Sequence, residues 1–276
     1  MKFGGTSVAD GDRIARVADI LLPTVKEGHE LGVVVSALSG VTDHLIKNAT
    51  EMVQCSGKPP VDTCIESLAS RHFRALEVAA PDYMEETGRI LEERLDNLSN
   101  ILSAVYTLKE LTPRSKDYII SFGERLSAPI VSAALRQKGI PSVTLDGCEA
   151  GILTTPTHGD ALALPGSEER IRERILPLLK ETVPVITGYM GCTERGIVTT
   201  LGRSGSDYSA TIIGAAIDAD EIWIWTDVDG VMTCDPRLIK DARVLPTVSY
   251  LEAMELSYFG AKVLHPRSPR ARCRSS

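Results

Sequence analysis

The 276-residue sequence has no apolar run near the roughly 18 residues that a membrane-spanning helix requires. Its opening residues lack the long apolar stretch of a signal peptide. The six cysteines are scattered without a C-x-x-C pair, and the five histidines do not cluster with them. This pattern argues against a zinc site and fits the reducing environment of a cytoplasmic protein.

Positive charge is also in short supply. The chain has 30 lysines and arginines against 37 acidic residues, which gives a formal net charge of -7, and no basic stripe stands out. We therefore expect no nucleic-acid partner, although a local cationic pocket for a small anion is compatible with this balance. With 43% hydrophobic residues, the chain can bury a sizeable core as one large α/β domain or two small ones.

Hydrophobic spacing predicts strands that alternate with helices. An apolar, β-branched run at 31–38 predicts a buried strand that ends near Ser36. Upstream of it, apolar residues recur at helical spacing, and Asp10 or Asp12 could cap that helix. The succession of strand, helix and strand is typical of a parallel sheet.

The rest of the chain continues this alternation. Residues 62–111 are predicted to be helical almost throughout, and 112–139 to form a further long helix that Thr112 caps and Gly139 ends. The remaining predictions are strands at 141–147, 151–155 and 183–191, a helix at 165–181, a strand, loop and helix over 196–219, a strand followed by turns over 221–237, and a helix followed by a break over 249–266.

The first of three loops with possible chemistry is Lys2–Ser7, which has the sequence KFGGTS and precedes the first helix. Its glycines would let backbone N–H groups approach an anion closely, and a helix N-terminus favours negative charge. Lys2 could reach a phosphate as a point charge. A tight turn with a solvated lysine is the alternative. The loop matches neither the Walker A pattern nor the G-x-G-x-x-G dinucleotide fingerprint.

The second and third loops have a similar chemical character. In the segment 202–207, Arg203 could bind a carboxylate or phosphate through two N–H groups, while Asp207 could simply cap the next helix. The segment 226–230, followed by Asp235-Pro236-Arg237, comes after a predicted strand, at the edge where ligands bind in open α/β sheets. An ordinary polar turn is the alternative there.

Three such loops after successive predicted strands favour an enzyme that handles phosphate. A soluble binding module for an anionic metabolite is the rival hypothesis. A structural or scaffolding protein is a third, weaker alternative.

Longer motifs extend this hypothesis. The sequence contains KFGGTS at 2–7, VVVSALSGVT at 33–42, SFGERLSAP at 121–129, ITGYMG at 186–191, TTLGRSGSDYSA at 199–210, WTDVDGV at 225–231, DPR at 235–237 and AMELSYFGAKVLHPR at 253–267. In these motifs and their order, the chain resembles the catalytic domain of aspartate kinases, within the amino acid kinase family. Glutamate, acetylglutamate and uridylate kinases share the lysine-glycine opening, but KFGGTS, FGERLS and GAKVLHPR together point to aspartate kinases.

The resemblance implies an α/β fold, a three-layer α/β/α sandwich with a central, mainly parallel sheet. It implies a catalytic domain over 1–267, with a substrate lobe to about residue 190 and a nucleotide lobe from about residue 191. The implied reaction uses ATP and Mg²⁺ to phosphorylate the side-chain carboxylate of L-aspartate, giving 4-phospho-L-aspartate on the route to lysine, threonine and methionine. An impaired, nucleotide-binding remnant or a family member with a different carboxylate substrate is the alternative.

The resemblance also implies residue roles. Lys2 would bridge the transferred phosphoryl group and Asp207 would orient the reacting groups. The implied substrate-binding residues are Ser36, Thr42, Glu124 (for the ammonium), Arg203 (for a carboxylate) and Ser206. The implied nucleotide-binding residues are Lys2, Gly4, Gly5, Thr6, Ser7, Thr226, Asp227, Met232, Arg237 and Lys262. No metal ligand is assigned.

Three positions depart from the family pattern. Ser204 stands where the family usually has glycine, and a positive φ there would strain the loop by roughly 1–3 kcal/mol. Met232 replaces a tyrosine near the nucleotide, which keeps a packing surface but loses a hydroxyl. Cys234 replaces a threonine.

The two ends also depart from the family. Only Met1 precedes Lys2, so we expect a frayed first strand and a poorly held lysine. The basic, serine-rich residues 268–276 are predicted to be disordered, and no regulatory ACT domain is recognised in the chain, so feedback inhibition would need a separate regulatory subunit. A homodimer is the other predicted partner arrangement, with no membrane partner.

Overall fold

A computed structural model describes residues 1–57, 59–202, 204–227, 230–234 and 239–258. Its strands are β1 (Lys2–Phe3), β2 (Val33–Val35), β3 (Ser142–Leu145), β4 (Val183–Thr187), β5 (Met190–Cys192), β6 (Val198–Thr200) and β7 (Ile224–Trp225). Its helices are α1 (Gly11–Lys26), α2 (Val41–Gln54), α3 (Val61–Ala79), α4 (Met84–Leu108), α5 (Pro113–Gln137), α6 (Ser167–Leu179), α7 (Gly205–Ala216) and α8 (Tyr250–Tyr258), with one 3₁₀ turn at Pro81–Tyr83.

The central sheet is parallel, as predicted. Within the described residues it has five strands in the order β3-β4-β2-β1-β7, and each neighbouring pair runs in the same direction. Parallel neighbours need a crossover connection, and α1 supplies it between β1 and β2. The carboxyl ends of these strands therefore meet at one edge of the sheet.

Helices cover both faces of this sheet. Because successive side chains on a strand point to opposite faces, Val33 and Val35 pack in one hydrophobic core and Val34 in another. The first core includes buried residues of α1 to α5, and the second includes buried residues of α6 and α7. The predicted three-layer α/β/α architecture is confirmed.

The first strand is well held, and the prediction of a frayed strand is wrong. β1 lies between β2 and β7, so its backbone groups are paired on both sides. The Lys2 N–H donates to the Trp223 carbonyl at 2.7 Å, and the Met1 ammonium donates to the Gly32 carbonyl at 2.6 Å. Phe3 is 1% exposed and stacks on Trp225. Two neighbouring strands thus stabilise a strand of only two residues.

The segments predicted as strands at 183–191 and 151–155 differ from expectation. The first is split into β4 and β5 by Gly188 and Tyr189, and Tyr189 has a φ of 69°, which no strand residue adopts. β5 then pairs with β6 in an antiparallel hairpin, so β6 does not belong to the parallel sheet. The segment 151–155 makes only isolated bridges at Leu153 and Thr154.

The predicted ends of two helices are confirmed. The Asp10 carboxylate accepts a hydrogen bond from the Arg13 N–H at 2.9 Å and caps α1. Thr112 caps α5 through the Ser115 N–H at 3.1 Å. Gly139, with a φ of 77°, follows the end of α5.

The remaining predictions concern the two lobes, the C-terminal tail, membrane spans and the cysteines. The division into two lobes stays a prediction, and the tail 268–276 lies outside the described residues. No helix in the described part of the chain combines the length and apolar character needed to cross a membrane. The cysteines at 64, 148, 192 and 234 are free thiols, and Cys273 lies outside the described residues.

Candidate active site

Loops at the carboxyl ends of β1, β2 and β4 meet at one edge of the sheet. The Gly4 N–H donates to the Trp225 carbonyl at 3.2 Å, and the Gly188 N–H donates to the Val35 carbonyl at 2.9 Å. These backbone hydrogen bonds join the loops of neighbouring strands. Ligands of open α/β sheets bind at this edge, and several sequence-predicted residues lie on these loops.

Lys2 and Asp207 form a buried ion pair at this edge. The Lys2 Nζ lies 2.6 Å from the Asp207 Oδ1, and the two side chains are only 10% and 9% exposed. Asp207 stands in the first turn of α7, where the helix dipole favours a carboxylate. Because either charge would be unfavourable if buried alone, each stabilises the other, and the direction of the Lys2 ammonium is fixed.

Glycines in the loop after β1 allow close packing around this ammonium. A Cβ on Gly4 would lie 3.4 Å from the Lys2 Nζ, and a Cβ on Gly5 would lie 3.0 Å from the Ala37 carbonyl oxygen. Gly5 therefore lets the loop after β1 rest against the loop after β2. The Ser7 N–H donates to the Gly4 carbonyl at 2.9 Å, which closes the turn.

Two arginines hold these loops by donating to their carbonyl groups. Arg13 of α1 donates to the carbonyl of Thr6. Arg71 of α3 donates to the Ser39 carbonyl at 2.6 Å and to the Ala9 carbonyl at 3.3 Å, so it joins the loops after β1 and β2. Both arginines thus act on the backbone of the site.

Glu124 of α5 is a buried carboxyl group beside the same loops. It is 4% exposed, and its Oε2 atom has no hydrogen-bond partner among the described residues. Burial raises the pKa of Glu124 to about 8, and the Ala37 backbone and the Lys2 charge oppose part of this rise. An unsatisfied buried carboxyl group of this kind is well suited to receive a cationic group from a ligand.

Gly123 brings α5 close to the loop after β2. A Cβ at Gly123 would lie 2.7 Å from the Ala37 Cβ and 3.6 Å from the Thr42 Oγ1. One turn further along α5, the Ser127 hydroxyl donates to the Ser36 carbonyl at 2.8 Å. These contacts bring the predicted hydroxyl residues Ser36, after β2, and Thr42, in the first turn of α2, close to the turn of α5 that contains Glu124.

The N-terminus of α7 is seated against the turn between β4 and β5. A Cβ on Gly188 would lie 2.6 Å from the Ser206 Cβ, so only glycine allows this approach. The Tyr189 N–H donates to the Ser209 Oγ at 3.0 Å, and the Tyr189 hydroxyl bonds to the Thr200 side chain. Burial raises the pKa of Tyr189 to about 12, which keeps the phenol neutral.

The predicted nucleotide-binding residues are less closely grouped. Thr226 and Asp227 are exposed directly after β7, which neighbours β1, and the Thr226 hydroxyl donates to the Asp227 carboxylate at 3.0 Å. Met232 lies in an antiparallel bridge with Val244. Among the residues that the structure describes, Met232 makes no hydrogen bond to the other predicted site residues.

Three of the predicted residues, Arg203, Arg237 and Lys262, lie outside the described residues, and their roles stay predictions. Ser204, next to Arg203, has a φ of 57° and a ψ of 22°. This left-handed conformation suits the glycine that the family pattern has there, so the strain expected of serine is present. The Ser204 side chain makes no capping hydrogen bond that would offset it.

Sequence reasoning missed Arg71 and Tyr189. Nothing in the local pattern of α3 indicates that Arg71 would reach two distant loops, because that contact depends on how the helix packs. Tyr189 lies in the ITGYMG motif, within the segment 183–191 that the sequence predicts as one strand. Its glycine neighbour was the only local signal of a turn.

Comparisons with known proteins identify the family of the chain. The family model described as "Amino acid kinase family" matches residues 1–271. Aspartokinase 3, chloroplastic, of Arabidopsis thaliana is 40% identical over 273 residues, which is 98% of this chain and 48% of the relative. Aspartokinase of Mycolicibacterium smegmatis is 34% identical over 264 residues, which is 95% of this chain and 49% of the relative.

A solved structure of an aspartokinase is also similar to this chain. The crystal structure of E. coli aspartokinase III in complex with aspartate and ADP matches with a TM-score of 0.85 and 31% identity, over 99% of this chain and 59% of that chain. The chain thus spans about half the length of the curated relatives it matches. The resemblance predicted from the motifs is confirmed, and the chain belongs to the amino acid kinase family.

Proposed function

We propose that this chain is the catalytic domain of an aspartate kinase, which transfers the γ-phosphate of ATP to the side-chain carboxylate of L-aspartate and gives 4-phospho-L-aspartate. One observation carries the proposal: the buried Lys2–Asp207 ion pair lies at the same sheet edge as the buried carboxyl group of Glu124, whose Oε2 has no hydrogen-bond partner among the described residues. The E. coli relative contains aspartate and ADP, which supports the same pair of substrates here.

The arrangement suits a reaction that needs positioning more than proton transfer. The side-chain carboxylate of aspartate has an ordinary pKa near 3.9, so it is already ionised and needs no general base. The difficulty is the repulsion between two anions. Lys2 and the N–H groups of its glycine loop stabilise the negative charge of the transferred phosphoryl group, and Asp207 keeps Lys2 in place.

Binding of the acceptor is assigned to the α5 side of the site. Glu124 receives the substrate ammonium, Ser36, Thr42 and Ser206 surround it, and Arg203 binds a substrate carboxylate. Binding of the ammonium by one group and of a carboxylate by another would orient the free side-chain carboxylate toward the phosphate. These roles agree with the described contacts of α5 and with the family pattern at position 203.

The nucleotide is assigned to the loops after β1 and β7. Gly4, Gly5, Thr6 and Ser7 would lie against its phosphates, and Thr226, Asp227, Met232, Arg237 and Lys262 would bind the rest. In the described part of the chain, no group of three or more His, Cys, Asp or Glu residues could hold a metal ion. We propose that Mg²⁺ enters as MgATP, where it would neutralise phosphate charge.

The decisive test is an ATP-dependent assay of acyl-phosphate formation with aspartate, glutamate and acetylglutamate in parallel. Product with aspartate alone supports the proposal. Product with another acceptor favours a different member of the family. Binding of MgATP without any product favours an impaired remnant or a binding module, and no binding at all contradicts the proposal outright.

Location and assembly stay at the level of proposals. We keep the cytoplasmic location predicted from the scattered thiols, although the Arabidopsis relative is chloroplastic by name. A homodimer or a separate regulatory subunit is the proposed assembly. Light scattering of the purified chain, alone and with candidate regulatory domains, tests it.

A further inference from the structure

Asp117 is a buried carboxylate that the proposed chemistry does not use. It lies near the start of α5 and is 1% exposed. Its Oδ1 accepts the Thr200 hydroxyl at 2.7 Å. Its Oδ2 accepts the His158 Nδ1–H at 2.8 Å, the Gly159 N–H at 3.1 Å and the Thr200 N–H at 3.2 Å. Four donors from distant parts of the chain therefore converge on one carboxylate.

These donors border residues 201–204, which join β6 to α7 and are called the β6–α7 loop below; residue 203 of this loop lies outside the described residues. Thr200 is the last residue of β6 and directly precedes this loop. A Cβ on Gly202 would lie 2.9 Å from the Asp160 Oδ1 and 3.4 Å from the Gly159 carbonyl oxygen. The turn that contains the donors at 158 and 159 therefore lies directly against the loop.

The β6–α7 loop leads straight into the ion pair of the site. The Gly205 N–H donates to the Gly202 carbonyl at 3.0 Å, and the Asp207 N–H donates to the Ser204 carbonyl at 3.0 Å. Asp207 then pairs with Lys2 at 2.6 Å. A shift at the end of β6 would therefore be passed to the first turn of α7 and to Asp207.

Tyr189 ties the same loop to the turn after β4. The Leu201 N–H donates to the Tyr189 carbonyl at 2.9 Å, and the Tyr189 hydroxyl bonds to the Thr200 side chain. The Thr200 hydroxyl donates to the Asp117 Oδ1 at 2.7 Å, so Thr200 is a shared neighbour of Tyr189 and Asp117. The polar groups thus form a continuous buried network in which each hydrogen bond orients the next.

We propose that Asp117 and His158 are positioning residues of the transfer reaction. They fix the described parts of the β6–α7 loop against α5, so that Ser206 and Asp207, in the first turn of α7, are held in the geometry that the acceptor requires. Neither residue touches substrate; both act through the loop. The proposal rests on the proposed function for its link to the acceptor, whereas the holding of the loop is a property of the fold itself.

Three variants and one matched control separate this role from general stability. His158→Ala removes one donor to Asp117, while His158→Asn keeps an N–H near the position of Nδ1. Asp117→Asn keeps the size but turns one acceptor oxygen into a donor that faces other donors. His29→Ala is the control, because His29 forms an exposed pair with Glu27 at 3.7 Å.

The first measurement is amide hydrogen exchange of a peptide that covers residues 198–207, with a peptide of α1 as the internal reference. We expect His158→Ala and Asp117→Asn to speed exchange in this segment about tenfold without changing α1, because the loop opens locally. His158→Asn and His29→Ala leave it near the parent rate. Unchanged exchange in both His158→Ala and Asp117→Asn overturns the proposal.

The second measurement is the steady-state kinetics of the full chain. We expect His158→Ala to raise the KM for aspartate about tenfold to a hundredfold, with the KM for ATP nearly unchanged, and His158→Asn to restore most of it. Equal changes in both KM values, or no rescue, overturn the positioning role. If the parent chain makes no aspartyl phosphate but the exchange result holds, the proposed function fails and the holding of the loop stands.

Discussion

At the scale of single residues, the site combines a buried ion pair with a buried carboxyl group. The charges of Lys2 and Asp207 neutralise each other across 2.6 Å, although the Asp207 Oδ1 makes no hydrogen bond of good geometry, and the Glu124 Oε2 has no hydrogen-bond partner among the described residues. A buried polar group without a partner is unfavourable unless a ligand completes it. Under the proposed function the two groups have different tasks: the pair holds an ammonium for a phosphate, and the Glu124 carboxyl group receives a cation.

Lys2 is expected to be essential to turnover. Lys2→Met keeps most of the side-chain volume but removes the ammonium that is proposed to contact the transferred phosphoryl group. We expect kcat to fall at least about a hundredfold, the usual loss for one transition-state contact. Lys47→Met is the control, since Lys47 is exposed and pairs with Glu51 at 3.8 Å. Near-normal turnover of a Lys2→Met chain with an unchanged Tm would contradict the role.

Glu124 is expected to make aspartate binding depend on pH. With a pKa of about 8, the free site holds a neutral carboxyl group at pH 7, and binding of the substrate ammonium requires the proton to leave. Affinity should therefore rise with pH up to about 8, by at most about tenfold per pH unit. Calorimetric titrations between pH 6 and about pH 8.5 measure this dependence. Glu124→Gln should weaken binding and flatten the profile, while Glu85→Gln, at an exposed site, should leave both unchanged.

The same carboxyl group affects folding stability in the opposite direction. Its pKa is raised in the folded chain from an ordinary value of 4.5 to about 8. Between these values the native state binds the extra proton, so the free energy of unfolding falls as pH rises through this window. As pH rises toward about 8, the affinity for aspartate should therefore increase while the free energy of unfolding decreases. A carboxyl group that is ionised and fully hydrogen-bonded in the free protein would not show these opposite changes.

At the scale of secondary-structure elements, the site depends on close approaches that only small residues allow. α5 approaches the loop after β2 through Gly123, and α7 approaches β4 through Gly188. A different constraint acts at the start of α7. Ser204, the residue before this helix, has a φ of 57°, a backbone conformation that favours glycine. Gly123 and Gly188 each allow one element of the site to pack against another. The effect of replacing a residue at each of these positions can be measured separately.

Replacing Gly123 should separate α5 from the loop after β2. In Gly123→Ala, the new Cβ would lie 2.7 Å from the Ala37 Cβ, and because neither atom can swing away, the backbones must shift. We expect a loss of about 1–3 kcal/mol in denaturant unfolding and a higher KM for aspartate. Adding Ala37→Gly removes the opposing atom and should recover part of both. A Gly123→Ala chain with parent stability and KM would show that the approach is not required.

Relieving Ser204 should stabilise the chain. A left-handed serine costs roughly 1–2 kcal/mol, while glycine loses about 0.4–1 kcal/mol through the freedom of the unfolded chain. We therefore expect Ser204→Gly to raise the free energy of unfolding by about 0.5–1 kcal/mol, measured from the denaturant midpoint. Ser204→Ala keeps the strain and, because the serine side chain makes no capping bond, should change little. Equal effects of the two substitutions would contradict this explanation.

At the scale of the whole molecule, local sequence patterns predict the helices and their ends, whereas the pairing of strands depends on contacts between residues that are distant in the sequence. Spacing and capping residues predicted α1 and α5 with their ends, because these depend on neighbours within a few residues. The pairing of β5 with β6 and the stability of β1 were not predictable in this way, because both depend on strands far away in the sequence.

The residues of the candidate site divide in the same way, into those that local motifs predict and those that depend on distant contacts. Motifs predicted Lys2, Asp207 and Glu124, and the fold brings all three to one region. The support around them was missed: Arg71 reaches its loops across 32 and 62 residues, and Asp117 meets Thr200 across 83. No local pattern marks such partners, since a helical arginine or aspartate is usually solvated.

Substrates should stabilise the whole fold, because the site residues come from β1, the β2 loop, α5, α7 and the segment after β7. A ligand at about 100 times its Kd adds about 2.7 kcal/mol to the native state, which is about 5–10 °C in Tm for a domain of this size. We expect MgADP and aspartate each to raise the Tm. Glu124→Gln should lose the aspartate shift and keep the MgADP shift, and N-acetylaspartate, which lacks the ammonium, should give no shift with the parent. A Glu124→Gln chain that still responds to aspartate, or a parent that responds equally to N-acetylaspartate, would show that the ammonium is bound elsewhere.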